Sequence, residues 1–220
     1  GQPGDENEVP IGEIDGSITE RTRLVAAALG RMPGFEIDVR TDMDAWLKYH
    51  TALLMPSLAA AFYACGEDRI RLAGTRDALV LALAAIREGF KVLQALGYPV
   101  TPKELGIFAW VPEPLLVAIF GRRLRHPLVE VALAKHASAA RDEIQLLADE
   151  FIALARQTTL PTPAIDRLYA YFDPATPRLS AGSAEIPLDW RAVRSGLAVV
   201  GALTAAVALG WYIGGRRKVA

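Results

Sequence analysis

His136 and Glu143 are the two residues whose types and spacing most readily suggest chemistry. They lie seven positions apart, so on a helix both side chains project from one face, two turns apart. An imidazole and a carboxylate in that arrangement can form a polar cluster. A second interpretation stays open, in which Glu143 belongs to a solvated helix face with its acidic neighbours Asp142, Asp149 and Glu150.

Lys48 is the second residue of interest, and it follows Asp44 by four positions. On a helix this spacing makes an ordinary surface ion pair. The three histidines lack metal-ligand spacing such as His-x-x-x-His, and the single cysteine, Cys65, excludes an intrachain disulfide and a cysteine-based zinc site. No Gly-x-Ser-x-Gly motif is present, so an isolated hydrolase is the least supported class of enzyme.

The charges are distributed unevenly along the chain. Residues 1–190 contain 19 Lys and Arg against 25 Asp and Glu, whereas residues 191–220 contain five basic residues and no acid. With this acidic balance, residues 1–190 offer no electrostatic footprint for a nucleic-acid backbone, which requires clustered basic residues. We therefore expect no nucleic-acid partner.

Capped helical patterns follow one another over residues 17–172 and predict an all-α fold, a multi-helix domain. Ser17 opens the first pattern in the capping box Ser17-x-x-Glu20, in which the two side chains satisfy free N–H groups of the first helical turn. Apolar stripes that include Leu24 and Leu146 are expected to face one common core.

Prolines and glycines divide this region into segments. Pro56 predicts a kink or break in a long apolar run, and Gly97 predicts the end of a helix that begins near Thr75. The longest helix is expected over about 127–157. Residues 35–40, FEIDVR, alternate like a strand, but no second strand pattern is present for pairing.

The two ends of the chain differ from the helical region. Residues 1–16 are rich in Gly, Pro and acids, which predicts a loop or remnant linker with at most a short strand near Val9–Ile14. Residues 173–194 have the Pro-rich composition of a linker. Residues 195–215 carry no charge and are flanked by basic residues, which predicts one C-terminal transmembrane helix with membrane lipid as its partner. A basic tail follows at 216–220.

Three segments carry a resemblance to a known family. They are IGEIDGSITERTRLV (11–25), DMDAWLKYHTALLMP (42–56) and RDEIQLLADEFIALARQTTLPTPAIDRLYAYF (141–172). The second segment has an acid-rich lead into Trp-x-Lys. The third has a helix carrying Glu-Ile and a closing Pro-Thr-Pro. In order and spacing they resemble the all-helical C-terminal domain of the ketopantoate reductase family, over roughly residues 9–172.

The resemblance implies roles for individual residues. Lys48, the lysine of Trp-x-Lys, is implied to be the general acid to a keto oxygen, where an ammonium stabilises the charge that an arriving hydride creates. Glu143 falls on the glutamate that orients substrate, and His136 is a candidate substrate-binding residue upstream of it. Family members also carry asparagines four and eight residues after the lysine, whereas this chain has Ala52 and Pro56.

The family's cofactor half has no counterpart in this sequence. No Gly-x-Gly-x-x-Gly follows a strand, and the βαβ pattern that this motif requires is not evident. We therefore expect this chain alone to bind no cofactor, although the resemblance implies NADPH and pantothenate biosynthesis once a separate Rossmann domain is supplied. Such helical domains often pair, which makes a homodimer an expected assembly.

Two functions stay open. The first is the substrate-side and dimerisation domain of a ketopantoate reductase-like NADPH-dependent oxidoreductase that acts on a 2-keto acid and is inactive without a Rossmann domain. The second is a non-catalytic, membrane-anchored helical interaction module derived from the same scaffold. In both cases no export signal is visible at the N-terminus, so we expect a cytoplasmic domain anchored by the C-terminal helix.

Overall fold

The computed structural model of the chain describes residues 7–129 and 136–195, and these ranges are mostly helical. Two short strands precede the helical part. In chain order the elements are β1 (Asn7–Ile11), α1 (Glu20–Leu29), β2 (Phe35–Val39), α2 (Met43–Leu53), a π-helical segment (Leu54–Ala59), α3 (Ala60–Ala64), α4 (Arg69–Gly74), α5 (Arg76–Ala95), a 3₁₀ turn (Lys103–Gly106), α6 (Ile107–Trp110), α7 (Glu113–Arg123), α8 (Pro127–Val129), α9 (His136–Ala139), α10 (Arg141–Ala155), α11 (Pro163–Tyr169) and a 3₁₀ turn (Ala170–Phe172).

Helix α5 lies at the centre of the core. It packs against α2, α7, α11 and the π-helical segment, and it ends before Gly97 as predicted. Gly89 lies where α5 closely approaches α2 and α10. A Cβ atom on Gly89 would lie 3.1 Å from the Cβ of Ala52 and 3.3 Å from Cζ of Phe151, so the missing side chain allows the three helices to meet at this distance.

The predicted break at Pro56 is confirmed. Helix α2 ends at Leu53, and the chain continues as the π-helical segment that contains Pro56. Because proline has no N–H, the carbonyl of Ala52 loses its usual helical donor. The hydroxyl of Ser57 donates to that carbonyl at 3.1 Å and also to the carbonyl of Leu53, so the apolar run stays helical and buried through the break.

Strands β1 and β2 pair in parallel, with Val9 opposite Ile37, and α1 connects them. The expectation of an unpaired strand at 35–40 is therefore wrong, and so is the expectation that no βαβ pattern is present. Residues 7–39 form a βαβ unit, and the loop predicted over 1–16 contains its first strand. The sequence did not reveal the pairing because β1 has five residues including Pro10, without alternation, and its partner lies beyond a whole helix.

Two residues expected in the common core are exposed instead. Leu24 is 64% exposed because α1 packs on β2 rather than on the helical bundle. Leu146 is 58% exposed, since the buried stripe of α10 passes through other positions. Those positions are Ile144, Ala148, Phe151 and Ala155.

The helix predicted over 127–157 is interrupted, which corrects that expectation. Ala140 has φ −121° and ψ 37°, so α10 begins only after it. Two contacts from Tyr63 hold the chain at this point. The Tyr63 hydroxyl donates to the carbonyl of Ala137 at 2.8 Å, and the guanidinium of Arg141 lies over the Tyr63 ring at 4.0 Å.

Residues 173–190, here called the strap, run over the helical domain as turns and extended chain. Their composition predicts a linker, but backbone hydrogen bonds attach them. The carboxylate of Asp77 accepts the N–H groups of Glu185 at 3.0 Å and Ile186 at 2.8 Å. Further attachment points on the helical side are Arg71, Thr75, Arg76 and Glu113.

The predicted membrane segment lies largely beyond the residues that the structure describes. Only Ser195 of the range 195–215 is described, as the last residue of a helical turn at 191–195, and the basic tail at 216–220 is outside it as well. Over residues 7–129 and 136–195, no helix combines the length and the apolar character needed to cross a bilayer. The transmembrane helix stays a prediction.

Glu88 on α5 caps the start of α11. Its carboxylate accepts the N–H groups of Ala164 at 3.0 Å and Ile165 at 3.0 Å. Burial raises the pKa of Glu88, and these two N–H groups oppose that rise. The first turn of α11 is thereby attached to the central helix.

We predict that Glu88→Ala lowers the free energy of unfolding by about 1–3 kcal/mol, because it leaves two buried N–H groups without acceptors. Glu88→Gln retains one acceptor oxygen and should lose less. Urea unfolding followed by circular dichroism measures the difference, and Glu150→Ala on the exposed face of α10 is the control. Equal losses for Glu88→Ala and Glu150→Ala would contradict the capping role.

A second prediction concerns the strap at acidic pH. Burial opposes the ionisation of Asp77, but the hydrogen bonds from the N–H groups of Ile186 and Glu185 outweigh it and hold the pKa of Asp77 below its usual value. A carboxyl with a lowered folded pKa stabilises the folded state above its unfolded pKa of about 4, and this stabilisation is lost as the pH falls through the folded value.

Hydrogen exchange at the amides of Glu185 and Ile186 tests this, after correction for the intrinsic pH dependence. Protection should fall below about pH 4 in the native chain and should be low at every pH in Asp77→Asn. Asp142→Asn, an exposed carboxyl on α10, should behave like the native chain. Strong protection of both amides in Asp77→Asn would refute the attachment.

Candidate functional site

Lys48 lies in the middle of α2, where two groups hold it. Its ammonium pairs with the carboxylate of Asp44, one turn earlier, and lies 4.6 Å from the centre of the Tyr98 ring. The Lys48 side chain is 24% exposed. We call Asp44, Lys48 and Tyr98 the lysine cradle.

Tyr98 is placed by the turn that ends α5. Gly97 has φ +88°, a left-handed conformation that glycine adopts easily, and the chain then turns back towards α2. The hydroxyl of Tyr49 on α2 donates to the carbonyl of Tyr98 at 3.1 Å. This bond attaches the Tyr98 backbone to the helix that carries Lys48.

The lysine cradle leaves Lys48 able to act on a ligand. An ammonium has three N–H donors, and Asp44 accepts only one of them. The remaining donors can polarise a carbonyl oxygen or transfer a proton to it. The Asp44 ion pair that the spacing predicted is therefore present, and it is compatible with a chemical role for the lysine.

A second polar network joins the βαβ unit to α2. The guanidinium of Arg40, just after β2, donates to both carboxylate oxygens of Asp42, at 2.9 and 3.0 Å, and to the hydroxyl of Thr101 at 2.8 Å. Thr101 in turn donates to Asp42 at 2.6 Å. The hydrogen bond from Arg40 lowers the pKa of Asp42 despite partial burial, so the pair stays ionised and fixes the start of α2.

The two positions where the resemblance leads one to expect asparagines are packed. Ala52 is fully buried, with its Cβ against Gly89, and Pro56 is buried in the π-helical segment. A larger side chain at position 52 would collide with α5. No amide could project from either position without repacking the core.

Glu143 is not brought into contact with Lys48 in the described part of the chain. Glu143 is exposed in the first turn of α10, where a carboxylate is favoured by the helix dipole. Helices α2 and α10 pack together, but within residues 7–129 and 136–195 no hydrogen bond or ion pair joins Glu143 to Lys48. His136 begins α9, and its side chain lies outside the described part of the structure.

Glu13 lies at the N-terminal end of α1, where a βαβ unit that binds dinucleotides receives a phosphate. Its carboxylate accepts hydrogen bonds from the hydroxyls of Thr19 at 2.7 Å and Thr22 at 2.8 Å and pairs with Arg21. The hydrogen bond from Arg21, followed by those from the two threonines, lowers the pKa of Glu13 to about 2. An internal carboxylate therefore occupies the place of an anionic ligand.

No metal centre is formed by the described part of the chain. Over residues 7–129 and 136–195, no group of three or more His, Cys, Asp and Glu side chains could hold a metal ion. His50 stacks on Trp46, with ring centres 4.8 Å apart and planes inclined by 13°. That contact gives His50 a packing role along α2.

Several contacts in and near the lysine cradle were not foreseen in the sequence. The residues concerned are Glu13, Arg40, Asp42, Tyr98 and Thr101. For Tyr98 and Thr101 the sequence carried no signal, because their partners lie about 50 to 60 positions earlier in the chain. For Glu13, the two threonines at the start of α1 were a local signal, since hydroxyls at a helix start often bind a neighbouring carboxylate.

Comparison with known proteins identifies no relative of this chain. No family model, curated protein or solved structure matches this chain. The resemblance to ketopantoate reductases consequently rests on the three segments within residues 9–172, and what it implies about activity is a matter for proposal.

Proposed function

We propose that this chain is the substrate-side domain of a ketopantoate reductase-like oxidoreductase that reduces a 2-keto acid with NADPH, together with a separate dinucleotide-binding domain. The open parallel sheet of β1 and β2 is the observation that supports this most directly. Parallel sheets occur almost only with several strands and with both faces covered. Here two strands are described, and each has one edge without a strand partner among the described residues.

The surface of the βαβ unit fits the same proposal. Its apolar side chains remain exposed rather than packing on the helical bundle. They are Ile14, Ile18, Leu24, Val25, Met32, Phe35 and Val39. Seven exposed apolar side chains on so small a unit favour a surface that a partner covers, and a dinucleotide-binding domain offers a parallel sheet that such strands could extend.

Lys48 lies close to the joint between this surface and the helical part. The Arg40–Asp42 network fixes the first residue before α2, and Lys48 follows Asp42 by six residues, about 9 Å along the helix. A substrate held between the two domains would thus meet the lysine cradle. This is where a proton donor is needed when hydride reaches a keto carbon.

The reaction proposed for this joint is a two-electron reduction. NADPH, bound by the partner domain, supplies the hydride to the keto carbon. The ammonium of Lys48 stabilises the developing alkoxide and gives it a proton, and the neutral amine regains a proton from solvent. The ion pair with Asp44 and the Tyr98 ring hold the ammonium in place.

A second candidate function is a non-catalytic, membrane-anchored interaction module. The burial of Ala52 and Pro56 favours it, because the asparagines that position substrate in the family have no equivalent here. Glu143, which is exposed and makes no hydrogen bond or ion pair within the described residues, agrees with it. A failure of the reduction assay described next would leave this candidate as the better one.

We predict that the chain joined to a Gly-x-Gly-x-x-Gly domain from the same genome reduces a 2-keto acid with NADPH. In that assembly, Lys48→Ala and Lys48→Arg should both lower kcat by about 10²–10⁴-fold with little change in KM. Arginine retains the ion pair with Asp44 but cannot release its proton. Asp44→Ala is the matched control and should cost much less, and equal losses for Lys48→Ala and Asp44→Ala would mean that only the ion pair matters.

We also predict that the chain alone does not bind NADPH. The N-terminal end of α1 is filled by the Glu13 carboxylate, which would repel a pyrophosphate. Titration of NADPH fluorescence with the purified chain should show no saturable change in the micromolar range. Stoichiometric binding that is lost in Arg21→Ala would instead assign a phosphate site to this βαβ unit.

A further inference from the structure

Helix α7 presents an apolar face that no other described element covers. Leu115 is 52% exposed, and Ala118 and Ile119 follow it at helical spacing, both exposed. Trp110, which ends α6 just before α7, is 71% exposed. We call Trp110, Leu115, Ala118 and Ile119 the α7 face.

Positive charge continues the α7 face at its C-terminal end. Arg122 and Arg123 are exposed in the last turn of α7, and no acidic residue occurs between Glu113 and Glu130. Glu113 itself is buried and paired with Arg87 at 3.5 Å. The surface therefore combines apolar side chains and arginines without an exposed carboxylate on α7.

The strap ends beside the other end of the same face. The N–H of Asp189 donates to Glu113, the first residue of α7, at 2.9 Å. A cavity of about 350 Å³ is lined by Trp110 on one side and by Asp189 and Ala192 on another. Trp190, adjacent in sequence, is exposed, so the last described residues begin next to the α7 face.

The residues that begin at Ser195 have the composition of a membrane segment. Residues 195–215 are uncharged, and Arg191 and Arg194 precede them. An amphipathic surface with aromatic, aliphatic and arginine side chains, next to such a segment, matches the interface between headgroups and acyl chains. The field of anionic lipids attracts the arginines, and the ring of Trp110 suits the headgroup level.

We propose that the α7 face lies on an anionic lipid bilayer, so that the domain docks flat against the membrane beside its own C-terminal segment. A second copy of the chain fits the α7 face less well. In a symmetric dimer through α7, Arg122 and Arg123 would find no exposed carboxylate on the α7 of the other copy. This docking goes beyond the reductase proposal and does not depend on it.

The test uses the full chain in vesicles, with Cys65→Ala and an environment-sensitive fluorophore at Ile119→Cys. In phosphatidylcholine vesicles that contain phosphatidylglycerol, we expect blue-shifted emission and quenching by nitroxide-bearing lipids. The same label at Leu146→Cys, on the exposed face of α10, should show neither effect. Flotation of the same samples reports separately whether the chain is anchored, and circular dichroism verifies the fold of each variant.

Charge variants complete the test. Arg122→Gln with Arg123→Gln should lower the ratio of docked to undocked domain about thirtyfold, since each basic residue near an anionic surface contributes ~1 kcal/mol. Arg156→Gln with Arg167→Gln, two exposed arginines elsewhere, should leave the ratio unchanged. Equal quenching at positions 119 and 146, or an undiminished blue shift at 119 in pure phosphatidylcholine, would overturn the proposal. Absence of flotation would overturn it together with the anchor.

Discussion

The close approach of α2, α5 and α10 at Gly89 is the contact on which the rest of the structure depends. A Cβ atom at position 89 would lie 3.1 Å from the Cβ of Ala52 and 3.3 Å from Cζ of Phe151, so any larger residue would push the three helices apart. The distance between the helices sets the position of α2 relative to the end of α5, where the Tyr98 ring contacts the Lys48 ammonium. It also explains why position 52 holds alanine. The lysine cradle and the alanine at position 52 follow from one packing constraint.

Around this apolar centre, buried and half-buried charges attach segments that have little apolar surface of their own. Glu88 holds the first turn of α11, Asp77 holds the strap, and Arg40 with Asp42 holds the βαβ unit. Glu88 and Asp77 accept backbone N–H groups that would otherwise be unsatisfied on burial, whereas Asp42 accepts the guanidinium of Arg40. Charges of this kind fix the position of loops and helix ends with few side chains.

The packed core and the surfaces available for function are different parts of the molecule. The core is complete around α5, yet the βαβ unit and the α7 face both expose apolar side chains. These side chains add no packing contacts to the core, and their exposure to water is unfavourable. Two different partners suit the two surfaces, because one is an open parallel sheet and the other an amphipathic helix face beside arginines.

The sequence by itself determined the elements whose signals are local. Helix α5 between Thr75 and Gly97 and the break at Pro56 were predicted from glycine and proline, since these act on backbone within one or two turns. The Asp44–Lys48 pair was predicted for the same reason. Only the tertiary structure decided the pairing of β1 with β2, the break at Ala140, the exposure of Leu24 and Leu146, and the contact of Lys48 with Tyr98. Those features depend on residues far apart in the chain meeting in space, and a single sequence carries no signal of a partner that becomes adjacent only when the core is packed.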